Sequence, residues 1–353
     1  MRYIVIMAGG LGSRFWPSST EQRPKQFLDI LGIGKTLLQM TYDRSLAIVP
    51  REQIIVITNK VYIDLVAEQL PELPLENILG EPSRNNTGPC IAYAALHLLS
   101  RKGASSFAVL ASDHVMLKEN EFVISINKAF DYAENHNAIL TLSIKPSRPD
   151  TGYGYIEVAD HDLHEVKKVL SFKEKPDLDK AKEYLQAGTF SWNSGIFIWS
   201  IDTLLKAFKN YSPNILKTLS RNLEKFGTKE EESYLEEVYP LTENISIDYA
   251  LLEKADNVYT LTADLGWSDL GTWNSLHDFL EKDESLNVVQ SASQYLVDVQ
   301  NSIIKVDGNK KVVIKGLENF IVIDEKDALL IYPKSDEQEI KAVVSMLSNQ
   351  EKR

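Results

Sequence analysis

The chain has 353 residues, 44% hydrophobic and 25% charged, a globular composition with enough apolar residues for a large core. A formal net charge of −12 repels nucleic acid and anionic lipid at long range, which argues against a non-specific nucleic-acid binder. The single cysteine, Cys90, excludes an intramolecular disulfide and a multi-thiolate zinc site, and fits a reducing, cytoplasmic setting.

At about 150 residues per domain, this length suggests two domains. Residues 3–8 form a continuous apolar run ended by Gly9-Gly10, the pattern of a strand buried on both faces. The run is too short for a signal-peptide core, and no stretch reaches the ~20 apolar residues of a membrane helix. Similar runs recur at 54–58, 107–111 and 138–144. Between them, Leu38, Tyr42 and Leu46, then Ile91, Ala95 and Leu98, then Val123, Ile126 and Phe130 have helical spacing. Alternating strands and helices predict a layered α/β domain, with its binding crevice beyond the carboxyl ends of the strands.

Past residue 150 the pattern changes to turns and short strands up to 175. A helix at 180–186, a strand at 190–200 and polar helical segments to about 253 follow. A domain boundary is expected near 284, in the acidic Glu281-Lys282-Asp283-Glu284. Beyond it lie short strands at 288–289, 295–299, 303–306, 311–314, 320–323 and 328–331, then a helix at 337–347. This predicts a catalytic domain over 1–284 and a β-rich domain over 285–353 that serves assembly.

The strongest local signal is Ala8-Gly9-Gly10-Leu11-Gly12-Ser13-Arg14, followed by Pro24-Lys25. Glycines directly after a buried strand let backbone N–H groups approach an anion, and Arg14 and Lys25 add cations for phosphate oxygens. The same glycines also fit a plain strand-to-helix turn; the trailing Arg and Pro-Lys favour phosphate. Two look-alikes are set aside. Gly10-Leu11-Gly12-Ser13-Arg14-Phe15 lacks the third glycine of a dinucleotide fingerprint. Gly34-Lys35-Thr36 has Asp29 where a phosphate loop has its first glycine, and reads as a helix start.

Asp113, in Ser112-Asp113-His114, follows a buried strand, where a carboxylate can hold Mg²⁺ or cap a helix. Asp269, in Trp267-Ser268-Asp269-Leu270-Gly271-Thr272, offers a second carboxylate with the same alternative. His114 reads as a loop support. His161 and His164, beside Asp160 and Asp162, read as a surface turn.

Taken in order, these motifs resemble the sugar-nucleotide pyrophosphorylases. The carrying residues include Met7 to Pro17, Arg23 to Phe27, Glu81 to Pro89, Ser112 to His114 and Gly152 to Ile156. Phe172 to Pro176, Trp192 to Phe197, Ser246 to Ala250, Gly266 to Trp273, Gly316 to Asn319 and Asp327 to Leu330 complete the set. The resemblance spans essentially the whole chain. The Arg84 to Pro89 stretch, Ser246 to Tyr249 and the C-terminal match point to the guanylyl, mannose-using branch.

The resemblance implies a Rossmann-like nucleotidyltransferase domain with a mixed, glycosyltransferase-A-like sheet. The β-rich C-terminal domain could then be a short left-handed β-helix. It implies a transferase acting on GTP and mannose 1-phosphate, with Mg²⁺, as a cytoplasmic homodimer without nucleic-acid or membrane partners. Ala8, Gly9, Gly10, Gly12 and Ser13 would contact the nucleotide, and Ser83 and Arg84 its base. Arg14, Lys25 and Lys175 would be catalytic cations, and Asp113 and Asp269 would hold the metal. Gly154, Glu174 and Asn193 would contact the sugar. Another nucleotide and sugar-phosphate pair, or a non-catalytic sugar-nucleotide binder, are the alternatives. One departure is visible: two residues, Asn85-Asn86, stand between Arg84 and Thr87 where the family usually has one. The chain leaves no room for the isomerase domain fused to some relatives, so one activity is expected. Deleting 287–353 is expected to disturb assembly more than chemistry.

Overall fold

The computed structural model describes residues 1–159, 164–306 and 308–351. Contacts divide the chain into two compact units. The first comprises Met1–Gly9, Thr41–Ser112 and Met116–Trp267; the second comprises Gly10–Met40, Asp113–Val115 and Ser268–Arg353.

The first unit is built on a nine-stranded mixed sheet. In chain order the strands are β1 (Arg2–Ala8), β2 (Ile54–Asn59), β3 (Ile78–Glu81), β4 (Ser106–Ala111), the dipeptide β5 (Val115–Met116), β6 (Ile139–Ile144), β7 (Tyr155–Val158), β8 (Val166–Lys173), β9 (Phe190–Ser200) and β10 (Val258–Thr262). Leaving β5 aside, their order across the sheet is β3-β2-β1-β4-β9-β6-β10-β8-β7. Strands β1 to β4 run parallel. Strand β9 is antiparallel to both β4 and β6, so β6 points the same way as β4.

The four predicted apolar runs all fall on sheet strands, and the reason is burial on both faces. Tyr3, Val5, Phe107 and Val109 pack in one cluster with helix Thr87–Ser100. The alternate residues Ile4, Ile6, Ala108 and Leu110 are also buried, under the opposite face. Helix Glu119–Asn135 packs on β4, β6 and β9.

The second unit contains the dipeptide β11 (Trp267–Ser268) in part. Its C-terminal strands are β12 (Val288–Gln290), β13 (Ser293–Val297), β14 (Ile303–Val306), β15 (Lys311–Lys315), β16 (Phe320–Asp324) and β17 (Leu329–Pro333). Strands β12, β14 and β16 are parallel, as are β13 and β15, while β17 closes the larger sheet antiparallel. The result is a short parallel β-coil. Its corners use left-handed backbone at Asn301 (φ 45°) and Asn319 (φ 62°), with Asn301 Nδ2 donating to Asn319 Oδ1 at 2.6 Å. Asparagine tolerates that conformation better than most residues.

The contact-based division differs from a cut at 284. Residues 10–40 cluster with the coil because Phe15, Ile30 and Leu37 are buried with Trp273, Val288, Ile303 and Ile321. Two fully buried aromatics, Phe15 and Trp273, meet at 4.8 Å between ring centroids.

Candidate active site

In the second unit, Lys25 opens a 3-10 turn after Pro24 and is 2% exposed. Its Nζ lies 3.0 Å from Asp113 Oδ2 and donates to the main-chain oxygen of Asp269 at 2.7 Å. The ammonium also stands 5.4 Å from the centre of the Phe15 ring. An ammonium has three N–H donors, so one is left for a phosphate oxygen. Burial works to raise the Asp113 carboxyl, but Lys25 and His114 outweigh it and hold the group below the ordinary carboxylate range.

The glycine loop is shaped around this lysine. At Gly12, with φ 63°, an added Cβ would stand 2.4 Å from the Lys25 Cβ. Glycine alone meets both demands. An added Cβ at Gly10 would meet nothing within 4 Å. Ser13 starts the short turn Ser13–Phe15. Arg14 donates through Nε to Gln338 Oε1 at 2.9 Å, which leaves its two Nη groups for other acceptors. Asp269 accepts from the Gly271 N–H at 3.0 Å, and the next residue, Leu270, is buried with φ 42°. A non-glycine residue held there is backbone strain, which often accompanies function.

The capping alternative fails for both aspartates. Thr272 caps helix Trp273–Phe279, and Lys118 precedes helix Glu119–Asn135 without a side-chain cap. The look-alike phosphate loop is closed by its own Asp29, whose carboxylate accepts from Ile33 N at 3.0 Å and Gly34 N at 2.6 Å. Those amides are spent internally, and helix Leu37–Leu46 follows as expected.

In the first unit, register assembles the remaining candidates at the carboxyl ends of the strands. Ala8 ends β1, buried, its carbonyl accepting from Thr58 Oγ1 at 2.7 Å. Gly9 follows, and an added Cβ there would come to 3.7 Å from Glu81 Oε2 at the end of β3. Glu81 accepts from the Tyr239 hydroxyl, and burial pushes it up to about 7 despite hydrogen bonds with Tyr239 and Cys90.

The doubled asparagine has a structural explanation. Asn85 Nδ2 donates to the carbonyls of Tyr239 and Thr242, each at 3.1 Å, and so fastens the loop. Asn86 takes φ 70° and caps helix Thr87–Ser100 through Thr87 N. Ser83 donates to Asn85 Oδ1, while Arg84 donates to the Tyr62 hydroxyl at 2.9 Å with its guanidinium over that ring.

Gly154, Glu174 and Asn193 meet as expected. Asn193 pairs with Ser143 near the end of β6, and Trp192 pairs with Tyr155, which pairs with Lys173. Asn193 N donates to the Gly154 carbonyl at 2.8 Å, and a Cβ on Gly154 would lie 2.3 Å from Glu174 Oε2. Lys175 is exposed, with φ 37°. Sequence reasoning gave no role to Asp248, which accepts from Asn193 Nδ2 at 3.2 Å, or to Glu253. Only the Ser246 to Ala250 motif marked that segment. Burial, then Asp248 and Glu253, against the pull of Lys175, push Glu174 up to about 7. His161, Asp160 and Asp162 lie outside the described residues.

This raised group makes a prediction. A carboxyl whose folded pKa exceeds its unfolded one stabilises most below the unfolded value, and that contribution is lost as pH rises towards 7. Glu174→Gln, which mimics the protonated form, is expected to raise Tm at pH 8 and to change it little at pH 4. Thermal unfolding at both values checks this; equal shifts would mean that Glu174 titrates normally.

The nucleotidyl transferase family matches residues 3–285. The chain is 34% identical over 352 residues to mannose-1-phosphate guanylyltransferase of Escherichia coli, covering 97% of this chain and 75% of that protein. It is 35% identical over 354 residues to the protein of the same name from Klebsiella pneumoniae, covering 99% and 74%. A crystal structure described as mannose-1-phosphate geranyltransferase from Thermus thermophilus superposes with a TM-score of 0.88 at 30% identity. That match covers 98% of this chain and 99% of the other.

Proposed function

The chain belongs to the nucleotidyl transferase family as a sugar-1-phosphate nucleotidyltransferase, and from that premise we propose that it transfers GMP from GTP to mannose 1-phosphate, giving GDP-mannose and pyrophosphate. The observation that carries the chemistry is the buried Lys25, bonded at once to Asp113 and to the Asp269 carbonyl. Similarity along nearly the full chain to two proteins named for this reaction supports the choice of substrates.

An oxygen of the sugar phosphate attacks the α-phosphorus in line with the departing pyrophosphate. The difficulty is repulsion: one like-charge pair at ~4 Å costs about 4 kcal/mol at an effective dielectric of 20. Net charge −12 gives no help at long range, so compensation must be local. The N–H groups along Ala8, Gly9, Gly10, Gly12 and Ser13 line the nucleotide, and Arg14 and Lys25 neutralise the triphosphate and the leaving group. Lys175 grips the sugar phosphate. Glu174 and Asn193 bond sugar hydroxyls beside Gly154, and Ser83 and Arg84 face the base.

Among the described residues, no three His, Cys, Asp or Glu side chains gather as a metal cage. Asp113, held ionised, and Asp269 fit Mg²⁺, a cation commonly held by one or two carboxylates with substrate phosphates. Bound there, Mg²⁺ would supply charge neutralisation at the reacting phosphates. Asp113→Asn and Asp269→Asn are each expected to abolish Mg²⁺-dependent turnover, read as rate against Mg²⁺ concentration. A variant keeping the unsubstituted dependence would remove that aspartate from the metal site.

The enzyme works in the cytoplasm as a homodimer, without nucleic acid or membrane. The acidic composition supports the lack of a nucleic-acid partner, and the buried free thiol of Cys90 supports the reducing, cytoplasmic setting. Residues 1–284 carry the chemistry, and 285–353 serve assembly while also supporting the Lys25 loop.

The test is pyrophosphate release across four nucleoside triphosphates with mannose 1-phosphate and glucose 1-phosphate. GTP with mannose 1-phosphate should be fastest. A faster pair of UTP or dTTP with glucose 1-phosphate would overturn the substrate assignment. Binding of GDP-mannose without turnover would mark a regulatory binder instead.

A further inference from the structure

Residues 239–248 run as a strap beside the loop that carries Ser83 and Arg84, all of it within the first unit. Hydrogen bonds tie the strap to that loop along its length. The Thr242 carbonyl accepts from Asn85, Asn244 Nδ2 donates to the Arg84 carbonyl at 3.4 Å, and Ile247 N donates to Thr87 Oγ1 at 2.8 Å. Gly88 N donates to the Ile245 carbonyl at 3.0 Å, and a Cβ on Gly88 would stand 2.7 Å from that oxygen, so glycine is what permits the approach. The strap ends on Asp248, which opens a π-helical turn, its carbonyl accepting from Glu253 N at 3.0 Å. Single turns of this kind are uncommon and recur at functional sites.

Asp248 Oδ1 accepts from Asn193 Nδ2 at 3.2 Å, and Asn193 Oδ1 accepts from Gly195 N at 3.1 Å. The two ends of a carboxamide have nearly the same shape and opposite polarity, so its direction is set by what each end meets. Here a peptide N–H meets the oxygen and a carboxylate meets the nitrogen. An amide nitrogen carries two hydrogens, so one remains for a sugar hydroxyl. Glu174 Oε2 and Asn193 Cβ both lie within 3.6 Å of the position that a Cβ on Gly154 would take, so the oriented amide stands beside the Glu174 carboxyl. We propose that Asp248 is a positioning residue for the sugar substrate: it fixes the direction of the Asn193 carboxamide, and its own place is set by the strap bonded to the 84–88 loop. The inference rests on the proposed function, in which Asn193 bonds a sugar hydroxyl.

Asp248→Asn keeps the size of the side chain and removes its charge. It is expected to raise KM for mannose 1-phosphate at least about tenfold, the scale of one hydrogen bond to a charged group, with kcat within about threefold and KM for GTP within about twofold. Adding Asp248→Asn to Asn193→Ala should cost nothing further, because the carboxamide that Asp248 orients is already gone. An unchanged sugar-phosphate KM, or effects of the two substitutions that multiply in full, would overturn the proposal. So would equal rises in both KM values together with a fall in Tm, which mark a general structural loss. Asp248→Ala carries the same expectations if Asp248→Asn does not fold. The rates are taken with whichever pair the pyrophosphate-release assay ranks first. A first pair other than GTP and mannose 1-phosphate would overturn the substrate assignment but not the role of Asp248, whereas no turnover with any pair would overturn both.

Discussion

Lys25→Ala is expected to lower kcat/KM by at least ~10², equivalent to about 2.7 kcal/mol of transition-state stabilisation. Three losses coincide. The ammonium proposed to neutralise the triphosphate disappears. Asp113 loses the strongest of the interactions that together outweigh its burial, so its carboxyl rises. The Asp269 carbonyl loses its donor, which frees the segment carrying the second carboxylate. The sign of the pH effect follows: residual activity should need a higher pH than the unsubstituted enzyme, because ionised Asp113 is then reached later in a titration. Lys25→Arg should not restore the rate, since the space around the lysine stem is already so close that Gly12 admits no Cβ. Steady-state rates from pH 5.5 to 9, with Tm recorded for each variant, separate chemistry from folding. A near-normal kcat/KM for Lys25→Ala would take Lys25 out of the reaction.

The parts of this fold that were legible in the sequence are those where one physical demand dominates. Strands buried on both faces must be apolar throughout, so 54–58, 107–111 and 190–200 match β2, β4 and β9 within a residue. Strand β3, Ile-Leu-Gly-Glu, escapes notice because it is short and ends on a carboxylate. Strand β10, Val-Tyr-Thr-Leu-Thr, escapes because its neighbours read as polar helix. The closing helix starts at Ile340 rather than 337, since Lys334–Glu339 wind as a tighter 3-10 turn.

The site divides in the same way. Gly12 and Lys25 could be suspected from local chemistry, but not that the glycine exists to make room for the lysine. Nothing local tells that Lys25 bonds the main chain of Asp269, 244 residues away, rather than its carboxylate. Asp248 stayed without a role because its partner, Asn193, is 55 residues distant and lies across the sheet end. Long-range pairings of polar groups carry no periodic trace along the chain.

Deleting 287–353 is expected to destroy nucleotide binding, contrary to what the placement of the named residues along the chain suggests. The deletion removes Val288, Ile303, Ile321, Ile323, Leu330 and Ile340, nearly half of the cluster that buries Phe15, Ile30 and Trp273. Phe15 and Trp273 are 0% exposed, and uncovering each would forfeit roughly 1.5–3 kcal/mol of burial. Phe15 is also the ring beneath the Lys25 ammonium, and Arg14 loses Gln338. Further, Asn274 loses its bonds to Glu337 and the Lys334 carbonyl at the start of helix Trp273–Phe279, just beyond Asp269. The first unit, with its own buried cluster, should keep its secondary structure, while segment 10–40 becomes open to protease. Circular dichroism, limited proteolysis and GTP titration of the truncated chain test this together. A truncated chain that binds GTP with undiminished affinity and resists cleavage in 10–40 would return the C-terminal coil to a purely assembling role.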